Sequence, residues 1–421
     1  MKKILALSMV FLMATFGVKA PEALAGTNQV FSWTYGQNFD NTQDTYNLPL
    51  GGSGVSWTTT EADVTYKVKN PFVIKDFRTR LATTPGVGKT VTATIRKNGA
   101  DTALSNLMSD TSEVLDADSV QFYAGDTISI KASPSGTPTA GQIRVSLVMQ
   151  INKPNVNYYF STSSGNPNAS SVRYFPIHGG NAFTATEGSG VLFVVSTAGT
   201  FSNLYAEVGT AAGSGKSFTV TVRKNLADTA LTTSISGTSQ TTNSDLTHSF
   251  SAAAGDVVCI AVTPSGTPTL SKMKFNIQFN PTTDGEFMLP SSSLNSPSTS
   301  SANNKAPIIT NASSSWSSTD NATSSVYTND FVVTGIAAYA VSAPGSGKSW
   351  TVTMSKNSSS TAVTTAIADA AQSAYSDGYS VSIADSETFN LVSTPSGTPT
   401  SGNLLMTLTG YNLYSTKTKW A

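Results

Sequence analysis

The sequence predicts an all-β protein, with three tandem jelly-roll or β-sandwich domains following a signal peptide. Three observations carry this prediction. The segments Gly86 to Leu104, Gly213 to Leu231 and Gly345 to Val363 are copies of one motif, and each is followed by PSGTPT, beginning at Pro134, Pro264 and Pro395. The lysines of the first motif lie 127 and 132 residues apart and the PSGTPT copies 130 and 131, so the repeat is the size of an independent domain. Within each copy, apolar residues alternate with threonine at the period of a half-buried strand.

Taken in chain order, residues 1–25 have Lys2 and Lys3, an apolar run from Ile4 to Val18 and the small-residue stretch Ala23-Leu24-Ala25, which together read as a secretory signal peptide. Its apolar run is short for a membrane span, and no later segment reaches the roughly 20 apolar residues a span needs. Neither the leader nor the C-terminus carries a lipid, sortase or hydrophobic anchor signal, so export without membrane insertion is expected. Cleavage after Ala25 leaves 22 basic and 24 acidic residues, a balance that attracts neither nucleic acid nor anionic lipid. Charged residues make up 12% of the chain, about half of ordinary usage, and Thr, Ser and Asn supply the polar surface instead. Low repulsion of this kind permits close association of subunits.

Phe31, Trp33 and Tyr35 alternate on the predicted first strand, and Tyr158, Tyr159 and Phe160 stand at the start of the second repeat. Three readings remain open for them: core packing, a sugar-stacking platform, or a strand donated to a neighbouring subunit. The repeat's core strand follows, with Val91, Ala93 and Ile95 facing inward in the first copy. Phe218, Val220 and Val222 take those positions in the second copy, and Trp350, Val352 and Met354 in the third. Lys97-Asn98, Lys224-Asn225 and Lys356-Asn357 end these strands in hairpin turns. Ala-Gly-Asp at 124–126 and 254–256, reduced to Ala384-Asp385 in the third copy, introduces the next strand. PSGTPT turns the chain, and Ile143 to Met149, Met273 to Phe279 and Leu404 to Tyr411 close the units. No segment has convincing helical periodicity, and the turn-punctuated pattern reads as a sandwich or jelly roll.

This order of loop, alternating strand, Lys-Asn, AGD and PSGTP resembles modules of exported bacterial surface proteins. It is similar in pattern to the tumour-necrosis-factor-like jelly roll. The resemblance covers the second half of each unit and implies a fold but no activity. The repeat register gives domains at 26–152, 153–281 and 282–421, the last divergent. It has Ser355 and Ser360 where the others have Arg and Asp, and a Ser/Asn-rich stretch from Ser291 to Asn304. Short connectors suggest a semi-rigid rod.

Catalytic signatures are weak. The GK[ST] tripeptides have Thr83, Thr210 and Ser342 where a phosphate-binding loop needs glycine, and a strand rather than a helix follows, so Lys89, Lys216 and Lys348 are expected in solvated hairpin loops. His178 and His248 lie in one unit without metal-ligand spacing. Cys259, the only cysteine, cannot form an internal disulfide and is expected to be buried and inert. Asp126, Asp256 and Asp385 are expected to bond their own turns, with a calcium ion there as the sharper alternative. Asn168, Asn311 and Asn321 begin glycosylation sequons. The chain therefore reads as a non-enzymatic secreted structural protein, a homo-oligomer or polymer forming a filament, sheath or surface layer, without a cofactor. Binding to cell-surface glycans is the runner-up, and a hydrolase with an acidic pair in the second unit comes third.

Overall fold

The computed structural model describes residues 27–412, apart from 35–36, 49, 51–55, 189, 293–295, 302–303, 307, 309–315, 319–324, 327–329 and 386. The predicted signal peptide, Tyr35, Asn311 and Asn321 lie outside the described residues. Among those described, the only helical element is one 3-10 turn, Glu61–Asp63.

The first segment holds β1 (Thr27–Thr34), β2 (Thr45–Asn47), β3 (Tyr66–Lys67), β4 (Phe72–Leu81), β5 (Thr90–Lys97), β6 (Ala100–Met108), β7 (Val114–Phe122), β8 (Thr127–Ser135) and β9 (Ile143–Ile151). They form one sheet in the order β1-β9-β4-β7 and a second in the order β2-β8-β5-β6, with β3 also on β8. The chain crosses repeatedly between two facing antiparallel sheets, with β5 and β6 a hairpin within the second, which is the jelly-roll arrangement.

The second segment repeats it with β10 (Asn157–Ser163), β11 (Arg173–Phe175), β12 (Gly179–Asn181), β13 (Phe193–Val194), β14 (Gly199–Val208), β15 (Gly213–Lys224), β16 (Ala227–Gly237), β17 (Thr242–Ala252), β18 (Val257–Ser265) and β19 (Met273–Pro281). The third holds β20 (Glu286–Ser292), β21 (Asn304–Ala306), β22 (Ser325–Val326), β23 (Phe331–Ala340), β24 (Gly345–Lys356), β25 (Ser359–Asp369), β26 (Ser373–Ser376), β27 (Val381–Ile383), β28 (Thr388–Ser396) and β29 (Leu404–Asn412). Sheet orders β10-β19-β14-β17 and β20-β29-β23-β26 match β1-β9-β4-β7, and β11-β18-β15-β16 and β21-β28-β24-β25 match the second sheet.

The repeated core strands are β5, β15 and β24. Val91, Ala93, Ile95, Phe218, Val220, Val222, Trp350, Val352 and Met354 are all buried, while the intervening threonines are mostly half-buried. Side chains from Ala to Trp occupy these equivalent positions because each sandwich repacks around them.

The three segments close into a ring, which corrects the rod expected from the short connectors. The first strand of the first segment meets that of the second, and the first strand of the second meets that of the third. The Gln29 amide donates to the Tyr158 carbonyl at 2.8 Å and accepts the Tyr158 N–H at 2.7 Å, and the Met288 N–H donates to the Tyr159 hydroxyl at 3.2 Å. Phe31 and Phe160 have ring centroids 6.1 Å apart, and both are buried. The same edge strand leans forward each time: Tyr66 of β3 packs edge-on to Phe160 at 4.8 Å, β13 packs on β20, β23 and β29, and β22 packs on β1 and β9. A head-to-tail contact used three times thus returns to its start, giving threefold pseudo-symmetry within one chain. Connector length limits reach but not direction, which is why the linkers could not distinguish a rod from a ring.

Candidate functional site

Each pair of repeated motifs forms one structural clamp. At one end of every sandwich, the final threonine of PSGTPT donates its N–H to the loop before GxGK: Thr139 to Pro85, Thr269 to Ala212 and Thr400 to Pro344, each at 2.9 Å. The glycine of PSGTPT has positive φ in all three copies, and the lysine stem lies directly over it. A Cβ on Gly136, Gly266 or Gly397 would sit 3.2–3.3 Å from Cγ of Lys89, Lys216 or Lys348. The lysines are half-buried rather than fully solvated, their methylenes covering the turn. The strands β5, β15 and β24 run on from this loop, so it offers no helix N-terminus to a phosphate.

At the opposite end, the Lys-Asn turn is tied to the Ala-Gly-Asp turn. Asn98 donates to Asp126 Oδ1 at 2.7 Å and accepts the Thr127 N–H at 2.8 Å, and Asn225 does the same with Asp256 and Val257 at 2.7 and 2.9 Å. The other carboxylate oxygen caps the chain, taking the N–H of Tyr123 or Ala253 at 2.8 Å. The backbone N–H of Tyr123 is the main cause holding the Asp126 carboxyl below its ordinary range. In the third copy the partner is Glu387, not Asp385: it accepts from Asn357 at 3.0 Å and from the Ala384 N–H at 2.8 Å. One extra methylene and a two-residue shift hid this equivalence in the sequence. These carboxylates are already committed to protein donors, and among the described residues no group of three or more His, Cys, Asp or Glu is placed to hold a metal ion.

Asp385 has a different task. It accepts from the Arg78 guanidinium of the first segment at 2.6 Å, and Arg78 also holds Glu113 at 3.1 Å. This is a polar latch where the third segment returns to the first. Sequence spacing gave no sign of it, because Arg78 and Asp385 are 307 residues apart. Nor did it point to Glu61 and Glu187, which reach Arg96 and Arg223 at 2.8 and 2.9 Å and back up the Asp101 and Asp228 contacts that Ser355 and Ser360 remove from the third copy.

Phe31 and Trp33 are each 1% exposed on β1, which pairs with β9 over its whole length, so donating this strand to another subunit requires it to leave β9. Tyr158 and Phe160 are buried where the second segment meets Phe31 and Tyr66 of the first, and Tyr159 is buried against Phe193 and Phe279 of its own sandwich. His178 lies beside them, 6.3 Å from Phe31 and 5.8 Å from Tyr159 by ring centroid, with neither ring nitrogen hydrogen-bonded. Burial pulls its pKa down to about 4, so the ring is neutral at pH 7. His248 is an exposed partner of Asp245 at 2.9 Å. The Cys259 thiol is buried at the second–third junction, donates to Glu187 at 3.2 Å, and is pushed well up in pKa by burial.

That junction also holds an open cavity of about 280 Å³, bordered by Ser196, Thr197, Glu286, Thr334, Tyr375 and Asp377. Burial raises the Glu286 carboxyl, and Thr197 donates to it. The Tyr375 hydroxyl donates to Asp377, and Thr409 Oγ1 donates to the Ser196 carbonyl at 2.8 Å. Among the described residues no helix is long and apolar enough to cross a membrane.

No family model matches this chain, and no curated protein does. Among solved structures it is similar to a chain from an archaeal virus, described with a triple jelly-roll fold and turret assembly, at 11% identity over 90% of this chain and 91% of that one, with a TM-score of 0.22. A chain of the Macrobrachium rosenbergii nodavirus matches at 7% identity over 66% of this chain and 96% of that one, with a TM-score of 0.15. Superpositions this loose carry no argument about function.

Proposed function

We propose that this chain is an exported, non-enzymatic building block of an extracellular filament, sheath or surface layer, and that it assembles with copies of itself. The observation that carries the reading is the closed ring. Three jelly rolls in one chain satisfy their own head-to-tail surfaces, leaving a preformed block with the same clamps and edges presented three times. Such a block meets its neighbours with fixed geometry, so assembly loses little conformational entropy. The low charge and the Thr/Ser/Asn surface favour close packing of copies.

Ring closure moves the expected contacts outward. Leu107 on β6, Leu115 on β7 and Leu246 on β17 are 59%, 42% and 69% exposed at the outer edges of their sheets, where an apolar side chain gains by being covered. Donation of β1 is the second route, and it competes with eight registered positions on β9.

The test is electron microscopy with light scattering on the chain from Gly26 onward at rising concentration. Ordered polymers that Leu107→Asp and Leu246→Asp abolish, with thermal stability unchanged, support the reading. Single three-lobed particles at every concentration would sink it.

A further inference from the structure

The cavity between the second and third segments narrows to almost nothing at the matching side chains one junction earlier. Val68 and Val195 make matching backbone bonds to Asp126 and Asp256, which aligns Lys69 with Ser196. Lys69 and Asn70 border a space of only about 10 Å³. Strand register then aligns Asn203 with Gly335 and Gln278 with Thr409. In the second segment Asn203 donates to Gln278 at 2.7 Å, filling the volume that glycine and threonine leave open in the third. The cavity therefore results from three reductions in side-chain size at one junction: Lys to Ser, Asn to Gly and Gln to Thr.

Its walls have a definite chemistry. Thr and Ser hydroxyls both donate and accept, Glu286 and Asp377 are strong acceptors, and no lysine, arginine or histidine lines it, which disfavours an anion. Tyr375 stands at the rim, 39% exposed, with its ring held by the bond from its hydroxyl to Asp377. The volume equals about nine liquid waters. It falls just under the roughly 300 Å³ at which sites for drug-sized ligands begin.

We propose that this cavity binds one ring of a neutral sugar. Sugar hydroxyls would donate to Asp377 and Glu286 and exchange hydrogen bonds with Thr197 and Thr334, while the C–H face of the ring covers Tyr375. A free sugar and the terminal residue of a glycan chain share this chemistry.

The experiment is saturation-transfer NMR on the chain from Gly26 onward. The probes are methyl glycosides of glucose, galactose, mannose and N-acetylglucosamine, their oligosaccharides, and calcium chloride as a separate titrant. At least one glycoside should saturate with an affinity on the order of 1 mM. Tyr375→Ala and Asp377→Asn, both at exposed positions, should each weaken it about tenfold without changing the melting temperature. Equal binding of a monosaccharide and its oligosaccharide indicates a free sugar, and tighter binding of the oligosaccharide indicates a glycan end. Three results would overturn the proposal: no glycoside binds, binding is the same in both variants, or calcium alone titrates in an Asp377-dependent way. None of these bears on polymer formation, which is read separately by microscopy.

Discussion

At the first–second junction, Lys69 lies 3.9 Å over the Tyr205 ring, and Lys274 reaches the Thr65 carbonyl and, at 3.4 Å, Glu207. At the second–third junction the equivalent strands meet through Leu192, Val194, Val257, Cys259, Ala337 and Leu405, and Ala337 stands where Tyr205 does one junction earlier. One interface is a cation on an aromatic ring with salt bridges around it, and the other is an apolar patch beside a polar cavity. Both place the same edge strand on the same neighbouring sheet. The docking geometry is thus set by strand order and by the edge strands β3, β13 and β22, each placed on the next segment, and each junction fills that geometry with its own side chains. The third junction, latched by Arg78 and Asp385, is a further solution.

Removing the aromatic cluster of the first–second junction should do the most damage. Phe160→Ala empties a site against Phe31, Tyr66 and Tyr158 and should cost about 4 kcal/mol in chemical denaturation, loosening the first and second segments together. If the loss is confined to the second segment, the cluster does not join the two.

Next comes the latch. Arg78→Met leaves Glu113 without its main cation at a mostly buried position and should cost about 3 kcal/mol, whereas Asp385→Asn, at a half-exposed site, should cost under about 1 kcal/mol. Equal losses for the two would mean that ring closure, rather than burial of Glu113, dominates.

His178 gives a pH signature of similar size. Its folded pKa is about 4 against an ordinary 6.5, so between these values the unfolded chain binds a proton that the folded chain does not. Stability should therefore fall by about 3 kcal/mol as pH drops from 6.5 to 4 and level off below that. His178→Phe should remove this component from the pH profile of the melting temperature; an unchanged profile would place the acid sensitivity elsewhere.

The smallest effect concerns the Lys-Asn turns. Asn98-Gly99 adopts two consecutive positive φ angles of 52° and 75°, and Asn225-Leu226 copies them at 50° and 65° with a leucine that is half exposed. A left-handed leucine costs about 1–2 kcal/mol, and glycine gives back part of the gain through its looser unfolded state. Leu226→Gly should therefore stabilise the chain by about 0.5–1 kcal/mol, while Gly99→Leu should destabilise it, both read from denaturation midpoints.

Much of the local structure was legible. Alternation at Val91, Ala93 and Ile95 and at their equivalents marks core strands because a strand's side chains face opposite sides with a period of two. Asn98-Gly99 marks a hairpin because few residues accept positive φ. The repeat spacing gives the matching positions, and the glycines and prolines of PSGTPT and GxGK mark both as turns.

What needed the tertiary structure was everything that depends on distant segments meeting. Asp385 looked like the third copy of Asp126, yet Glu387 makes that turn, and Asp385 crosses to Arg78. Trp33 and Phe31 alternate on one strand, but that this strand is held by β9 over its whole length is a fact of the sheet alone. The sequence by itself determined the strands, the turns and the threefold repetition, since these follow from local periodicity and backbone preference. The ring, its unequal junctions and the cavity between Ser196 and Asp377 were decided only in three dimensions, because packing and burial couple residues whose separation along the chain carries no trace of their contact.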